Sequence, residues 1–343
     1  MAETLIRYAL ERVVAGDDLD AVSARGVMDE LMDGAATDSQ IGALLTALRV
    51  KGETVDEITG MVESLRAHAV TVQLSVDAVD TCGTGGDGHG TFNISTAAAL
   101  VVAGAGCPVA KHGNRAQSSR CGSADVLEAL GVAILLPPDG ARRCVDEAGI
   151  GFFYAPAFHP AMRHVAAARR ELGFRTVFNM LGPLANPARV RRQALGVGEP
   201  RLAPLLAGVL QRLGHTRALV FTGPDGLDEL GLHGIARCYD VTPGAVVEYE
   251  LDPAAYGLSA APVADLQGGD AAANARTVMA VLNGEPGAAR DVVLFNAAAA
   301  LIAAGRVTEY SDGVELARES IDSGAARRRL DALISVSNRE AAA

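Results

Sequence analysis

Beyond residue 73 the chain alternates short apolar runs with helical stretches, and this alternation limits the possible folds more than any other feature. The runs are AVDTC at 78–82, PVAKH at 108–112, AILLP at 133–137, GFFYA at 151–155, QALGVG at 193–198 and ALVFTG at 218–223. Strands that alternate with helices build βαβ units around a mostly parallel sheet. We therefore predict a large α/β domain with a central, mostly parallel sheet flanked by helices.

Residues 1–72 carry a different pattern, with apolar residues at helical spacing. A third helix is predicted to follow Thr37 and to end at Gly52. A fourth is predicted to begin at Thr54, where Thr54 and Glu57 form a capping box. Nothing in this stretch indicates chemistry, so we expect a helical domain that serves packing or dimer formation.

The segment between Pro156 and Pro187 interrupts the βαβ alternation. Its sequence HPAMRHVAAARRELGFRTVFNMLGPLANP predicts helices and a Pro/Gly turn, and we expect it to return to the helical domain. The predicted division is a small all-helical domain, residues 1–72 with about 160–188, and a large α/β domain, residues 73–159 with about 189–343.

Charge and composition disfavour some classes of partner. The 343 residues carry a formal net charge of -11, and 4% are aromatic with no Trp, so the core must be built from Ala, Val and Leu. Nucleic-acid binding usually leaves a basic footprint, which is missing here. A small anionic substrate stays compatible, because the local field matters more than the net charge.

Cysteine usage and the apolar stretches predict a cytoplasmic protein without a membrane segment. The five cysteines are odd in number and none has CxxC spacing, which favours reduced thiols. Arg7, Glu11 and Arg12 interrupt the N-terminal apolar residues, so we predict no signal peptide. Runs such as AAALVVAGAG are too short and too rich in glycine to span a bilayer.

The first polar motif is GTGGDG at 83–88, which matches the dinucleotide pattern GxGxxG. That pattern needs an acidic residue about 20 positions on, and the span from Thr91 to Gln117 has no Asp or Glu. The motif also fails as a P-loop, because His89 stands where the Lys should be. A glycine-rich turn before a helix still predicts an anion site. Ser95 at the helix start would cap the helix or bind a metal, and N-cap preferences favour the cap.

The second polar motif, KHGNRAQSSRCGSADVLEALG at 111–131, repeats the plan of strand, loop and helix. It brings together Lys111, His112, Arg115, Arg120 and several hydroxyls. A solvated surface loop would explain the motif taken alone. Beside another anion-binding loop, a phosphate site is the better interpretation, since Lys, Arg and Ser are phosphate donors.

An acidic pair, Asp228 and Glu229, follows the predicted strand RALVF. Adjacent carboxylates are common on protein surfaces. At the carboxyl end of a parallel strand, however, open α/β sheets bind their ligands. One or two carboxylates together with substrate phosphates are the usual ligands of magnesium.

These motifs together resemble the anthranilate phosphoribosyltransferase family over nearly the whole chain. The segments GTGGDGHGTFNIST, KHGNRAQSSRCGSADVLEALG, HPAMRHVAAARRELGFRTVFNMLGPLANPA and GLDE follow one another in the family's order and at its separations. The resemblance implies a small helical domain, a large α/β domain and a homodimer formed through the helical domain. Ala167 and Ala168 depart from it, because many members have Pro and Val there.

The resemblance also implies the role of each site residue, with magnesium as cofactor at two ions per site. Phosphoribosyl pyrophosphate (PRPP) would contact Gly83, Gly86, Asp87, Thr91, Asn93, Ile94, Ser95, Thr96, Lys111, His112, Gly113, Asn114, Arg115, Ala116, Gln117, Ser118, Ser119 and Ser123. Anthranilate would contact Gly83, His112, Asn114, Arg169 and Pro183. Ser95, Asp228 and Glu229 would bind the metal.

The implied reaction needs no covalent nucleophile. The amine of anthranilate displaces pyrophosphate from C1 of the ribose, and protein donors and magnesium stabilise the leaving group. Cys82 beside Gly83 is not expected to act as a nucleophile, because nothing local lowers the pKa of its thiol.

Two other functions remain to be weighed against this one. A pyrimidine nucleoside phosphorylase shares the fold, but KHGNR followed by RTVFNMLGPL argues against it. A non-enzymatic relative that binds nucleic acid would have a basic surface and a degraded site. The net charge and the presence of Arg169, Asp228 and Glu229 argue against that alternative.

Overall fold

The computed structural model describes residues 4–116 and 120–343, and it begins with four helices. They are α1 Leu5–Val14, α2 Ala21–Met32, α3 Asp38–Lys51 and α4 Val55–Ala67. Capping boxes at Thr37 with Gln40 and at Thr54 with Glu57 satisfy the first free N–H groups of α3 and α4. Both predicted helix starts are confirmed, and α3 ends at Gly52 as predicted.

The centre of the larger part is a seven-stranded sheet in the order β3-β2-β1-β4-β5-β6-β7. The strands are β1 Val79–Gly83, β2 Val109–Gly113, β3 Ile150–Tyr154, β4 Arg192–Gly196, β5 Arg217–Thr222, β6 Ala236–Val241 and β7 Val246–Leu251. The first five are parallel, and β6 and β7 add an antiparallel edge. The prediction of a mostly parallel sheet is confirmed.

One of the predicted strands is wrong. The run AILLP at 133–137 forms no strand. Its Ile134 and Leu136 are buried, and the Ala133 N–H donates to Ser337 Oγ on the C-terminal helix. This run therefore packs against a helix and finds its hydrogen-bond partner there, so it has no sheet neighbour.

Eleven further α-helices lie among the described residues. They are α5 Ile94–Gly104, α6 Ser123–Ala129, α7 Pro138–Arg143, α8 Ala155–Phe158, α9 Ala166–Leu172, α10 Phe178–Leu184, α11 Ala203–Arg212, α12 Ala271–Leu282, α13 Ala288–Ala303, α14 Tyr310–Asp322 and α15 Ala325–Ala341. Helices α5 and α13 are buried on nearly every side, which explains why their sequences are apolar throughout.

Two apolar cores hold these elements together. One joins β1, β2 and β3 to α5, α13 and the C-terminal helices. The other joins α1–α4 to α9, α10, α11 and residues of β4, β5 and β6. Residues 165–185 thus share a core with the N-terminal helices. No helix in the described part of the chain combines the length and apolar character needed to cross a membrane.

Candidate active site

The candidate site lies where the strand order reverses, at the carboxyl ends of β1 and β4. Strand β1 pairs with β2 on one side and with β4 on the other, so the loops that leave β1 and β4 diverge and open a crevice. In open α/β sheets such a crevice is the usual place for a ligand. The loop after β1 and the loop after β5 that carries the acidic pair meet there.

The glycines of the first loop, residues 84–92, are required by backbone conformation. Gly85, Gly86, Gly88 and Gly90 have φ values of 65°, 70°, 80° and 66°. Residues with a Cβ rarely adopt such left-handed conformations. Gly83, which precedes the loop, has no room for a side chain, because a Cβ there would collide with Asp228 Oδ2.

The acidic pair is bonded to backbone N–H groups of the first loop and of the first turn of α5. Asp228 Oδ2 accepts from the Gly85 N–H at 2.6 Å, and Glu229 Oε1 accepts from the Ser95 N–H at 3.1 Å. The Asp228 N–H donates to Asp87 Oδ2 at 3.3 Å, which brings a third carboxylate alongside. Burial, and then the charge of the neighbouring carboxylates, raises the pKa values of Asp228 and Glu229.

Ser95 does not cap helix α5, so the favoured prediction for this residue is wrong. The helix begins at Ile94 and Asn93 occupies the N-cap position, which leaves Ser95 inside the first turn. Its hydroxyl accepts a hydrogen bond from Lys111 Nζ at 3.3 Å. Ser95 is therefore held between Lys111 and the carboxylate of Glu229.

Lys111 lies beneath the first loop and is only 3% exposed. Its Nζ donates to the carbonyl oxygen of Thr81 at 2.5 Å as well as to Ser95. Burial lowers its pKa, while Asp80 opposes that shift. Asp80 is fully buried and accepts from the His112 N–H and from Asn186 Nδ2, and burial raises the pKa of its carboxyl to about 6. The amino group of Lys111 is thus held in one position inside the site by Thr81 and Ser95.

The second loop, residues 114–122, is described at both ends, whereas Gln117, Ser118 and Ser119 lie outside the described residues. The carboxylate of Asp125 accepts from the Ala116 and Gly122 N–H groups at 2.9 and 2.8 Å. The Ser123 hydroxyl donates to the carbonyl oxygen of Asn114. These bonds fold the loop back onto the start of α6.

The guanidinium of Arg115 forms ion pairs with carboxylates at the edge of the second loop. Its Nη1 donates to Asp125 at 3.0 Å and to Glu128 at 2.5 Å, and its guanidinium lies 5.8 Å from the centre of the Tyr154 ring. Together these contacts orient the side chain toward α6. Of the cationic side chains in this motif, Lys111 thus bonds to Ser95 of α5, whereas Arg115 bonds to carboxylates of α6.

Two histidines lie side by side, His112 in β2 and His159 after α8. The rings of His112 and His159 are 5.2 Å apart, both are buried, and each Nε2 lacks a partner among the described residues. Burial lowers the pKa of His112 to about 3 and that of His159 to about 4, so both imidazoles are neutral near pH 7. His112 was predicted from the sequence as a site residue, whereas His159 was not, although the motif HPAM contains it.

The segment 165–188 supplies the remaining predicted residues. Arg169 lies on α9 with its guanidinium 4.9 Å from the centre of the Phe178 ring, and burial lowers its pKa. Pro183 lies in α10, and its carbonyl oxygen accepts from Gln193 Nε2. Arg175, which the sequence analysis did not single out, reaches the first loop from this segment.

The side chains of the crevice include two carboxylates and one hydroxyl group that could bind a divalent cation. The described residues contain no group of three or more His, Cys, Asp and Glu side chains arranged to hold a metal ion. Two buried carboxylates with raised pKa values would still gain from a cation. Magnesium commonly takes one or two carboxylates and completes its shell with substrate phosphates and water. Asp228, Glu229 and the Ser95 hydroxyl fit such a site.

Comparison with known proteins gives one consistent family. A model described as the helical bundle domain of a glycosyl transferase family matches residues 7–69, and a model of that family's a/b domain matches residues 75–327. Anthranilate phosphoribosyltransferase of Thermomicrobium roseum is 57% identical over 339 residues, covering 97% of each chain. The same enzyme of Anaeromyxobacter dehalogenans is 54% identical over 331 residues, covering 96% of this chain and 98% of its own.

Solved structures agree over similar lengths. The crystal structure of anthranilate phosphoribosyltransferase from Thermus thermophilus superposes with a TM-score of 0.92 at 44% identity, covering 96% of this chain and 99% of its own. The Saccharomyces cerevisiae enzyme in complex with PRPP and Mg gives 0.89 at 27% identity, covering 98% and 99%. The same yeast enzyme in complex with 4-fluoroanthranilate gives 0.87 at 28% identity, covering 98% of both chains.

Proposed function

This chain belongs to the anthranilate phosphoribosyltransferase family, and from that premise we propose how its residues divide between two substrates. It transfers the phosphoribosyl group of PRPP to the amine of anthranilate, in a magnesium-dependent step of tryptophan biosynthesis. The products are N-(5-phosphoribosyl)anthranilate and pyrophosphate. The observation that supports the division is that the first loop, the start of α5, Lys111 and the acidic pair meet at one crevice of the sheet.

PRPP would lie against the first loop and the amino end of α5. The N–H groups at a helix start and the helix dipole favour an anion there. Thr96 Oγ1 is buried in the first turn and has no hydrogen-bond partner among the described residues. A phosphate oxygen would accept the hydrogen bond that this hydroxyl can donate. Lys111 would act from below by adding positive charge and by holding the Ser95 hydroxyl.

Magnesium would be held by Ser95, Asp228 and Glu229, and we propose two ions in each site. The raised pKa values of Asp228 and Glu229 support this, because buried carboxylates are stabilised when a cation takes the place of the proton. Bound magnesium would neutralise negative charge on the departing pyrophosphate. The protein's part is to hold the two acids against the Gly85 and Ser95 N–H groups, where the leaving group would lie.

Anthranilate would lie between the second loop and the segment 165–188. Arg169 offers a planar fork that matches the carboxylate, and burial strengthens that pairing by excluding water. His112 is neutral, so its unpaired Nε2 would accept a hydrogen bond from the substrate amine. Gly83, Asn114 and Pro183 would form the remaining walls.

The reaction proceeds by direct displacement in this arrangement. The amine attacks C1 of the ribose as the bond to pyrophosphate breaks, and the first loop's amides stabilise the charge that gathers on the leaving group. The Cys82 thiol takes no part, because burial raises its pKa well above its ordinary value and keeps it protonated. Positioning of two substrates is the protein's main contribution to the rate.

We further propose a cytoplasmic homodimer formed through the helical domain. Large apolar side chains are exposed on the first three helices: Leu5, Tyr8, Val14, Val22 and Val50. Val22 and Val50 are 82% and 83% exposed, which is unfavourable unless another surface covers them. Sedimentation of the protein at micromolar concentration should give a dimer, and a concentration-independent monomer would contradict the proposal.

The placement of anthranilate is tested by two neighbouring arginines on α9. Arg169→Ala should raise KM for anthranilate about tenfold or more, since about 1.4 kcal/mol of lost binding is a factor of ten. KM for PRPP should change much less. Arg170→Ala removes an exposed charge from the same helix and should leave both constants unchanged. The loss of anthranilate fluorescence measures turnover, and an unchanged anthranilate constant in Arg169→Ala would refute the placement.

A further inference from the structure

Arg175 connects the segment that carries Arg169 with the first loop. It lies between α9 and α10, and its guanidinium donates to two carbonyl oxygens of the loop. Nη1 donates to Gly85 at 2.6 Å and Nη2 donates to Thr84 at 3.2 Å. The same short segment therefore holds the proposed anthranilate arginine and grips the proposed PRPP loop.

The loop is shaped to receive this guanidinium. A Cβ built on Gly86 would overlap Arg175 Nη1, so any side chain at that position would displace the arginine. Gly86 also has a φ of 70°, a conformation that glycine adopts without strain. Thus Gly86 provides both the backbone turn and the space that Arg175 occupies.

The peptide that joins Thr84 to Gly85 is held from both sides. Its N–H, that of Gly85, donates to Asp228 Oδ2 at 2.6 Å, and its carbonyl oxygen, that of Thr84, accepts from Arg175 Nη2 at 3.2 Å. A peptide fixed at both polar groups has one orientation, which also sets the direction of the next amides in the loop. Arg175 therefore acts on the groups that would face the pyrophosphate.

On its other side the guanidinium is tied to the helical part of the molecule. Arg175 Nε lies 3.9 Å from Glu199 Oε1, and the other oxygen of Glu199 lies 3.5 Å from Arg49 Nη1 on α3. The side chains form a chain of contacts from α3 through Glu199 and Arg175 to the loop. The surface ion pairs are weak, whereas the bidentate bond to the two carbonyl oxygens is the strong link.

We propose that Arg175 is a positioning residue that couples the PRPP site to the anthranilate site. The inference rests on the placement of the two substrates given above. A ligand that orders the first loop would, through Arg175, also order the segment that presents Arg169. By thermodynamic linkage, anthranilate must then strengthen the binding of the phosphate ligand by the same factor.

The test measures this coupling without turnover. Anthranilate fluorescence gives its dissociation constant with and without magnesium pyrophosphate, which occupies the loop but supplies no ribose. The wild-type protein should bind anthranilate more tightly when magnesium pyrophosphate is present. In Arg175→Ala this ratio should fall toward one. Arg175→Lys keeps the charge but lacks the planar fork, so it should recover only part of the ratio.

Steady-state constants provide the second measurement. Arg175→Ala should raise KM for PRPP by roughly ten- to hundredfold, the usual worth of hydrogen bonds to a charged group. Arg170→Ala is the matched control and should keep both the ratio and the constants of the wild type. A wild-type ratio of one, or an unchanged ratio and KM in Arg175→Ala, would overturn the inference. If the alanine variant does not fold, Arg175→Lys decides the question by the same two readouts.

A double variant tests the fit between the loop and the arginine. Gly86→Ala alone should raise KM for PRPP, because the new methyl group expels the guanidinium and the backbone is strained. In the Arg175→Ala background the methyl group has space, so the combined loss should be smaller than the product of the two single effects. Independent effects would contradict the proposed contact. Failure of wild-type turnover, in contrast, would refute the substrate placement itself.

Discussion

The first and second loops begin in the same way, each at the end of a central strand, but the side chains that hold them come from different parts of the chain. Partners of the first loop come from distant parts of the chain, namely Arg175, Asp228 and Gln267. The second loop is held by its own neighbourhood, chiefly by Asp125 and Glu128 of the helix that follows it.

This difference means that the first loop takes its shape only when the whole molecule has assembled. Besides the contacts of Arg175 and Asp228, the Gly268 N–H donates to Gly90 and Gln267 Nε2 donates to the carbonyl oxygen of His89. The bonds that hold the second loop come mainly from α6. Distant substitutions should therefore disturb mainly the first loop, and substitutions in α6 mainly the second loop.

The largest loss of turnover is expected from the acidic pair, because the conformation of the first loop and the binding of the metal both depend on it. Replacement of both Asp228 and Glu229 by Ala removes the acceptors of the Gly85 and Ser95 N–H groups together with the proposed metal ligands. Turnover at limiting magnesium should fall by about a hundredfold or more. Asp225→Asn, at an exposed carboxylate close by, is the control and should retain activity. Equal rates across a magnesium titration would contradict the assignment.

A substitution of Asp125 should change the conformation of the second loop and leave that of the first loop unchanged. Asp125→Ala removes the acceptor of two backbone N–H groups and of Arg115, so we expect a loss of about 2–3 kcal/mol in the free energy of unfolding. KM for PRPP should rise while the magnesium dependence stays that of the wild type. Glu128→Ala removes only an exposed ion pair, worth about 1 kcal/mol or less. Urea unfolding and kinetics measure both, and a changed magnesium dependence in Asp125→Ala would weaken the comparison.

A smaller effect is expected where the two loops touch. Asn274 of α12 accepts from the Gly269 N–H and donates to Asn93 Oδ1, and Asn93 Nδ2 donates to the carbonyl oxygen of Cys121. Asn274→Ala should cost about 1–2 kcal/mol in the free energy of unfolding and raise KM for PRPP severalfold. Arg276→Ala, exposed on the same helix, should do neither. Calorimetry would show whether the two variants differ, and identical behaviour would argue against a bridge between the loops.

The sequence correctly predicted the structural features that depend on residues close to one another in the chain. The helix start after Thr37, the capping box at Thr54, the parallel strands and the glycine turn depend on neighbouring residues, and they are confirmed. The antiparallel strands β6 and β7 were not predicted, and the burial of β6 does not alternate strictly, since the consecutive residues Cys238 and Tyr239 are both buried.

Contacts between distant residues were beyond the same reasoning. Nothing near Arg175 or Gln267 indicates that these side chains reach the carbonyl oxygens of a remote loop. Ser95 was assigned as a cap because cap preferences consider only neighbours, whereas its bonds to Lys111 and Glu229 arise from three separate parts of the chain.

A separate expected effect is the pH dependence of stability. The folded state raises the pKa values of Asp228 and Glu229 above their ordinary values near 4, so folded carboxyls keep protons that unfolded ones release. Stability from this source is therefore greatest below about pH 4 and declines as pH rises toward the raised values, by at most about 1.4 kcal/mol per pH unit for each proton that the folded state keeps. Asp228→Asn with Glu229→Gln should flatten this decline. Urea unfolding in a chelator at several pH values measures it, and parallel curves for the two proteins would contradict it.

The position of β1 between β2 and β4 also constrains the order in which a growing polypeptide can fold. On the ribosome, β1, β2 and β3 emerge before β4, and Val79 cannot pair with Arg192 until the segment 155–188 has also been synthesised. Residues 165–185 of that segment share a core with α1–α4, which are synthesised much earlier and cannot complete this core before then. Pairing across such a separation is slow, because much chain entropy is lost before the contact forms. We therefore expect the helical part and the centre of the sheet to become stable together, late in synthesis, when β4 leaves the exit tunnel.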